Sequence, residues 1–142
     1  MEIRPYQKTD ESAVIALWQA CDLVRSWNDP QKDIQRKLAV DPELFLVGAL
    51  DGRLIATVMI GYEGHRGWIN YLAVHPEHRR CGHARKIMAA GENLLSSLGC
   101  PKINLQVRTT NRSVLEFYQA LGYAADDVVS LGKRLEHDDQ KL

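Results

Sequence analysis

Tyr71-Leu72-Ala73-Val74-His75-Pro76-Glu77-His78-Arg79-Arg80-Cys81-Gly82-His83-Ala84 is the stretch on which the reading of this chain turns. Its first residues end an apolar run, 68–74, which His75-Pro76 stops, and helix-forming sequence begins at Gly82. A strand, a turn and a helix in that order set a helix start just beyond a strand end. Such a start offers backbone N–H groups without helical partners and the positive end of the helix dipole, which together bind an anion. Gly82 and Ala84 are small enough to let a ligand approach the backbone. Arg79 and Arg80 add charge and bidentate donors suited to phosphate. The pattern is neither GxxxxGK(S/T) nor GxGxxG, which argues against nucleoside-triphosphate and dinucleotide readings.

Before this unit, residues 3–6 read as a short first strand. Thr9 then caps a helix with Asp10 and Glu11 in its first turn, where carboxylates suit the helix dipole. Val14, Leu17, Trp18 and Cys21 make one face of that helix. Asp29-Pro30 restarts a helix as N-cap and first helical residue. Only Ile34 and Leu38 point inward, so it reads as short and loosely held. Residues 44–50 and 54–62 are apolar runs joined by Asp51-Gly52, a two-residue hairpin turn. The run 68–74 is apolar at nearly every position, as expected of a central strand covered on both faces.

After the unit, the helix 82–98 turns Ala84, Ile87, Met88, Leu94, Leu95 and Leu98 to one side, with Gly99 past its end. Ile103, Leu105 and Val107 alternate with Asn104, Gln106 and Arg108, a half-buried strand. Asn111 caps a last helix with Val114, Phe117, Tyr118 and Leu121 inward and Gly122 at its end. Residues 128–135 close the sheet. The order is β-α-α-β-β-β-α-β-α-β, an α/β fold with a mixed sheet and helices on both faces.

The 142 residues make one domain, 1–142, in which 136–142 read as a solvated tail. Eighteen basic residues balance eighteen acidic ones, so bulk charge gives no case for nucleic acid or membrane. No apolar run reaches the about 20 residues of a membrane span, and the first residues lack the apolar core of a secretory signal. Cys21, Cys81 and Cys100 are scattered, which predicts reduced thiols in a cytoplasmic protein, with Cys81 a filler in its turn. His65, His75, His78 and His83 lie in loop-like sequence without ligand spacing, so no metal is expected.

Arg79-x-x-Gly82-x-Ala84 resembles the signature of the GNAT acetyltransferase superfamily, and Leu72, Val74 and Pro76 match the strand end that precedes it there. A second block is similar as well, Asn111-x-x-x-Leu115-x-Phe117-Tyr118-x-x-Leu121-Gly122-Tyr123. Many members have glycine where Arg80 stands. The resemblance implies a single mixed sheet of six to seven strands with four helices on both faces. It implies acetyl-CoA as acyl donor and an amine as acceptor. The backbone from Arg79 through Arg80, Cys81, Gly82 and His83 to Ala84 would hold the pyrophosphate. Leu72, Ala73 and Val74 would pair with the pantetheine arm where two parallel strands splay, and an amide there would polarise the thioester carbonyl. Asn111 would touch the pantetheine or phosphate region, and Tyr118 would point at the thioester sulfur.

Those roles suit the chemistry. An amine attacking a thioester builds negative charge on oxygen, which a fixed N–H stabilises, and a phenol can donate to the departing sulfur. The amine must lose a proton to a base or a water chain. Glu63 or His65, in 61–67, is either that base or part of a solvated turn. Arg25, Trp27, Asn28 and Asp29, in 22–29, together with Glu63, are candidates to read the acceptor, although Asn28 and Asp29 are also capping residues. Trp68 belongs either to the core or to the acceptor site. The expected activity is N-acetylation of a primary amine, on a small molecule or on a protein lysine or N-terminus, by direct attack in a ternary complex. The alternative is a non-catalytic acyl-CoA sensor, for which Tyr118 would serve no purpose. A monomer or homodimer is expected.

Overall fold

The Asp51-Gly52 turn adopts the backbone its residue types favour, with φ of 51° at Asp51 and 79° at Gly52. It joins β2 (Phe45–Leu50) and β3 (Arg53–Tyr62) into an antiparallel hairpin. The computed structural model describes residues 1–139 and adds β1 (Glu2–Pro5) beside β2, β4 (Gly67–Val74) beside β3, and β5 (Ile103–Leu105) beside β4. The first four strands are antiparallel to their neighbours and β5 is parallel to β4. The helices are α1 (Glu11–Ala20), α2 (Pro30–Leu38), α3 (His83–Ser97) and α4 (Arg112–Ala120). α3 is the crossover that a parallel pair requires.

Two apolar layers form on the two sides of the sheet. On one, Ile55, Val58, Ile60 and Ile69 meet Ile87, Met88 and Leu95 of α3 and Tyr118 of α4. On the other, Phe45, Val47 and Ala73 meet Val14, Leu17 and Trp18 of α1 and Ile34 of α2. The α1 stripe forms as its spacing predicts, but the helix begins at Glu11 after a 3-10 turn, Lys8–Asp10, and Thr9 does not cap it. The Asp10 carboxylate instead accepts from the Gln7 N–H and from Arg4, which holds it below the usual carboxylate range. Asp29 caps α2 as expected, accepting from the Gln31 and Lys32 N–H groups.

Several expectations are corrected. The described sheet has five strands where six to seven were expected, because residues 128–135 form no ladder. Val128, Val129, Leu131 and Leu135 are largely exposed; Gln106, just past β5, donates to Ser130, and Lys102, just before β5, donates to Asp126 ahead of this segment. Alternating apolar residues make a strand only beside a partner, and β5 is three residues long. β4 is not covered on both faces, since Trp68 and Asn70 are exposed. Leu98 lies past the buried stripe of α3 and is also exposed. α2 is better held than two apolar residues suggested. Its Lys37 is buried and donates to the Ile60 carbonyl, and Arg36 binds Asp138 and Glu136. Arg36 thus holds the buried Asp138 and reaches Glu136, while residues 136, 137 and 139 stay exposed and 140–142 lie outside the described residues.

β4 carries a bulge. Thr57 faces Ala73 and Met59 faces Asn70, so Val58 alone opposes Tyr71 and Leu72. Tyr71 takes φ of 51°, a left-handed value unusual for its type. The buried Thr57 hydroxyl accepts from Trp18 Nε1 at 2.9 Å and donates to the Tyr71 carbonyl at 2.8 Å. The Tyr71 ring stacks on Trp18 at 3.8 Å. Thr57→Val keeps the side-chain shape but strands a buried N–H and a carbonyl, and should lower stability by about 2–4 kcal/mol. Thr57→Ser should lose much less. Denaturant unfolding of the two variants measures this, and equal loss would reduce the hydroxyl to packing.

Candidate functional site

β4 and β5 pair only at Gly67–Ile103, Trp68–Asn104 and Ile69–Leu105. At the closed end the strands are tight: a Cβ on Gly67 would lie 2.9 Å from Cys100 Sγ and 3.0 Å from Leu95 Cδ1. Beyond Ile69 the bulge turns β4 aside, and from Asn70 to Val74 it has no β5 partner. A parted pair of parallel strands exposes backbone N–H and C=O groups along a cleft, where an extended ligand chain can add itself. The cleft belongs to a cavity of about 2130 Å³. Asn70, Tyr71 and Leu72 line it from β4, Gln106, Val107 and Arg108 from beyond β5, and Asn111 and Tyr118 from α4.

The turn before α3 has two left-handed residues, Arg80 at φ 63° and Gly82 at 81°. Arg80 thus adopts the backbone for which glycine is suited, so the glycine-like path survives with an arginine in place, at a strain cost. No side chain caps α3, and its first internal bond is Lys86 N–H to the Gly82 carbonyl. The N–H groups of His83, Ala84 and Arg85 precede that bond and have no intrahelical partner. Arg79 is anchored by Nε donating to the Val74 carbonyl at 3.3 Å. His83 is not in a loop: it opens α3, is buried, and its Nδ1 has no hydrogen-bond partner among the described residues. Burial holds its pKa below the usual histidine value, with further help from the N-terminus, Lys86 and His78. Ala73 and Val74 are buried strand residues whose side chains serve the two cores. The exposed Cys81 thiol donates to the Arg79 carbonyl at 3.5 Å.

Tyr118 is buried on α4 between Phe117 and Tyr123, its hydroxyl bonded to no group among the described residues. Burial pushes its pKa up to about 12. Asn111 caps α4 by accepting from the Val114 N–H at 3.4 Å. Its position on the cavity wall allows ligand contact as well.

The loop between α1 and α2 forms one bank of the cavity. Asn28 Nδ2 donates to the Tyr71 hydroxyl at 2.8 Å, and that hydroxyl donates to Asp33 at 2.5 Å. Burial and the Asp33 carboxylate raise the Tyr71 pKa well above its ordinary value. Trp27 is 43% exposed, with the Arg108 guanidinium 4.9 Å from its ring centroid and that of Arg25 at 6.0 Å. Arg25, Trp27 and Asn28 line the cavity, as does the half-exposed Trp68. Asp29 is occupied in capping α2 and is not on the wall.

Glu63 and His65 are not brought to this place. They sit exposed in the turn joining β3 to β4, at the closed end of the cleft. The Glu63 carboxylate accepts from the His65 and Arg66 N–H groups of its own turn. Reading the sequence missed Tyr71 and Arg108. Tyr71 lay inside an apolar run and Arg108 in a regular alternation, and neither pattern signals a bulge or a cation–aromatic stack.

A family model described as "Acetyltransferase (GNAT) family" matches residues 12–123. An acetyltransferase of Yersinia pseudotuberculosis is 49% identical over 140 residues, covering 99% of each chain. Among solved structures, Ard1 from Thermoplasma volcanium aligns with a TM-score of 0.76 at 24% identity over 87% of this chain and 82% of its own. AAC(6')-Iy in complex with a CoA-S-monomethyl-acetylneamine bisubstrate analog aligns at 0.74 and 22% identity, over 94% and 97%. At these identities the two structures speak for the fold.

The strain at Arg80 is measurable. Arg80→Gly removes a left-handed non-glycine residue, worth about 1–2 kcal/mol, against a smaller entropy cost in the unfolded chain. The ligand-free variant should gain up to about 1 kcal/mol in thermal unfolding. A loss of stability would mean that the Arg80 side chain holds the turn together.

Proposed function

The chain belongs to the GNAT acetyltransferase family and is an N-acetyltransferase, and on that premise we propose that it moves the acetyl group of acetyl-CoA to a primary amine by direct attack in a ternary complex. The observation that carries this reading is the parting of β4 and β5 beyond Ile69 and Leu105, between an uncapped α3 start and a buried Tyr118.

In this reading the pyrophosphate lies on the backbone from Arg79 to Ala84, where free N–H groups, the helix dipole and the arginines favour an anion. The pantetheine arm runs along Leu72, Ala73 and Val74, and Asn111 borders it. Such an arm is an extended chain with amide groups, which the unpaired strand edge can bond. The bulge at Tyr71 and Leu72 turns the local backbone, which suits an N–H for the thioester oxygen. That N–H stabilises the oxyanion formed when the amine nitrogen bonds to the carbonyl carbon. Collapse breaks the C–S bond and releases a thiolate.

Tyr118 has a defined part in that departure. With a pKa of about 12 its phenol keeps its proton throughout the neutral range. A thiol has a pKa of about 8.5, so a full transfer from Tyr118 to the thiolate is uphill. Tyr118 therefore donates a hydrogen bond to the leaving sulfur, and the proton that ends on the thiol comes from solvent. The attacking amine passes its proton to water in the open cleft, since Glu63 and His65 do not border it. Arg25, Trp27 and Asn28 border the acceptor. The free thiols of Cys21, Cys81 and Cys100 fit a reducing, cytoplasmic setting.

Tyr118→Phe should lower kcat at least about tenfold, the usual worth of a hydrogen bond to a charged group, with acetyl-CoA affinity nearly unchanged. The kcat of the native protein should show no inflection from Tyr118 between about pH 6 and 9, because a raised phenol pKa lies above that window. Equal turnover of both proteins across that range would remove Tyr118 from the reaction. Gly82→Trp should abolish acetyl-CoA binding in calorimetry by covering the turn amides, and retained binding would place the pyrophosphate elsewhere.

A further inference from the structure

Every carboxylate on the cavity wall already has a partner. Asp22 pairs with Arg25 at 3.3 Å. Asp33 takes Arg36 at 3.2 Å and the Tyr71 hydroxyl at 2.5 Å. Glu92 accepts from Tyr123 at 2.8 Å, and Asp126 holds Lys102 at 3.0 Å. The wall carboxylates are thus engaged by the protein's own donors, with Asp22, in a surface pair, the most exposed of them.

The cations are differently placed. Arg108 forms no ion pair among the described residues, although it stands on the wall of the same cavity. It follows β5 in the alternation that sets Asn104, Gln106 and Arg108 on the sheet side away from α3 and α4. Its guanidinium stacks on the exposed Trp27, which comes from the opposite bank of the cleft. A guanidinium held over an aromatic face keeps N–H donors for other partners, and a guanidinium can bind a carboxylate through two parallel N–H bonds. A polyamine or a lysine-rich peptide would meet uncompensated repulsion there.

We infer that the acceptor is a small primary amine that also carries a carboxylate, gripped by Arg108 against Trp27 while its nitrogen reaches the thioester. This rests on the acetyl-transfer reading above and names its substrate class. Arg108 acts here as a specificity residue, and the cation beside the bound amine also lowers the pKa of its ammonium. That favours the reactive neutral form at a site where no side-chain base has been found.

Acetylation rates tested on one apolar amino acid, its carboxamide, a peptide beginning with glutamate, and a polyamine separate the possibilities. The amino acid should exceed its carboxamide at least about tenfold in kcat/KM, as expected for a charge-assisted bidentate contact. Arg108→Gln should bring that ratio close to one through the acceptor KM, with the acetyl-CoA KM unchanged, and Arg108→Lys should keep part of the preference. If the glutamyl peptide leads and the carboxamide trails, the carboxylate chemistry stands and its source is a peptide side chain. A carboxamide or polyamine used as well as the amino acid, or a ratio untouched by Arg108→Gln, overturns the inference while leaving acetyl transfer intact. A protein that binds acetyl-CoA yet acetylates none of the four overturns this inference, whereas a protein that fails to bind acetyl-CoA overturns the acetyl-transfer reading beneath it.

Discussion

The Thr57 hydroxyl sits at the point on which the cleft depends. It accepts from Trp18 in α1 and donates to the carbonyl of Tyr71 at the bulge, and it is wholly buried. A bulge in the middle of a sheet leaves backbone groups out of register, and a buried unpaired carbonyl would be costly. Thr57 supplies the missing donor. The same hydroxyl, through Trp18, ties the bulge to the helix whose indole stacks on the Tyr71 ring. With the bulge held, β4 leaves β5 after three pairs, and the gap between them becomes a place where chemistry can occur.

The two sides of that gap differ in chemistry. α3 and α4 lie on one side, bringing a helix start without a capping side chain and a tyrosine that burial keeps protonated. On the other, α1 and α2 leave part of the sheet uncovered, and the loop between them presents Arg25, Trp27 and Asn28. Asn28 and Asp33 hold the Tyr71 hydroxyl, so this bank is fixed to the same bulge that opens the cleft. Arg36 of α2, one turn beyond Asp33, binds Asp138 and Glu136, and so fastens the last described residues to the same helix.

Much of this was legible from residue types. Asp51-Gly52 demanded its hairpin, Asp29-Pro30 its helix start, and Asn111 its cap, because each is a local preference satisfied within a few residues. The helix start after the Arg79–Gly82 turn was legible for the same reason, as was the burial of Tyr118 from its place in a helical stripe. Other features were not. The alternation in 128–135 promised a strand, but a strand needs an edge to pair with, and β5 offers three residues. Asp10 looked like a first-turn carboxylate and proved to be the partner of Arg4. Glu63 and His65 had suitable groups for a base, yet their turn lies at the closed end of the cleft and the Glu63 carboxylate is occupied by its own backbone.

By itself, then, the sequence determined the order of elements as far as α4, the Asp51-Gly52 hairpin, the caps at Asp29 and Asn111 and the strand–turn–helix unit, since all of these follow from neighbours along the chain. Only the tertiary structure decided where β4 parts from β5, which aromatic rings stack, and which charges stay unpaired. Thr57 and Tyr71 are fourteen residues apart, and Trp18 is farther still. Trp27 and Arg108, far apart in the sequence, meet across the cleft. Contacts of that kind depend on how the layers pack around the whole core, and no short pattern in the sequence encodes them.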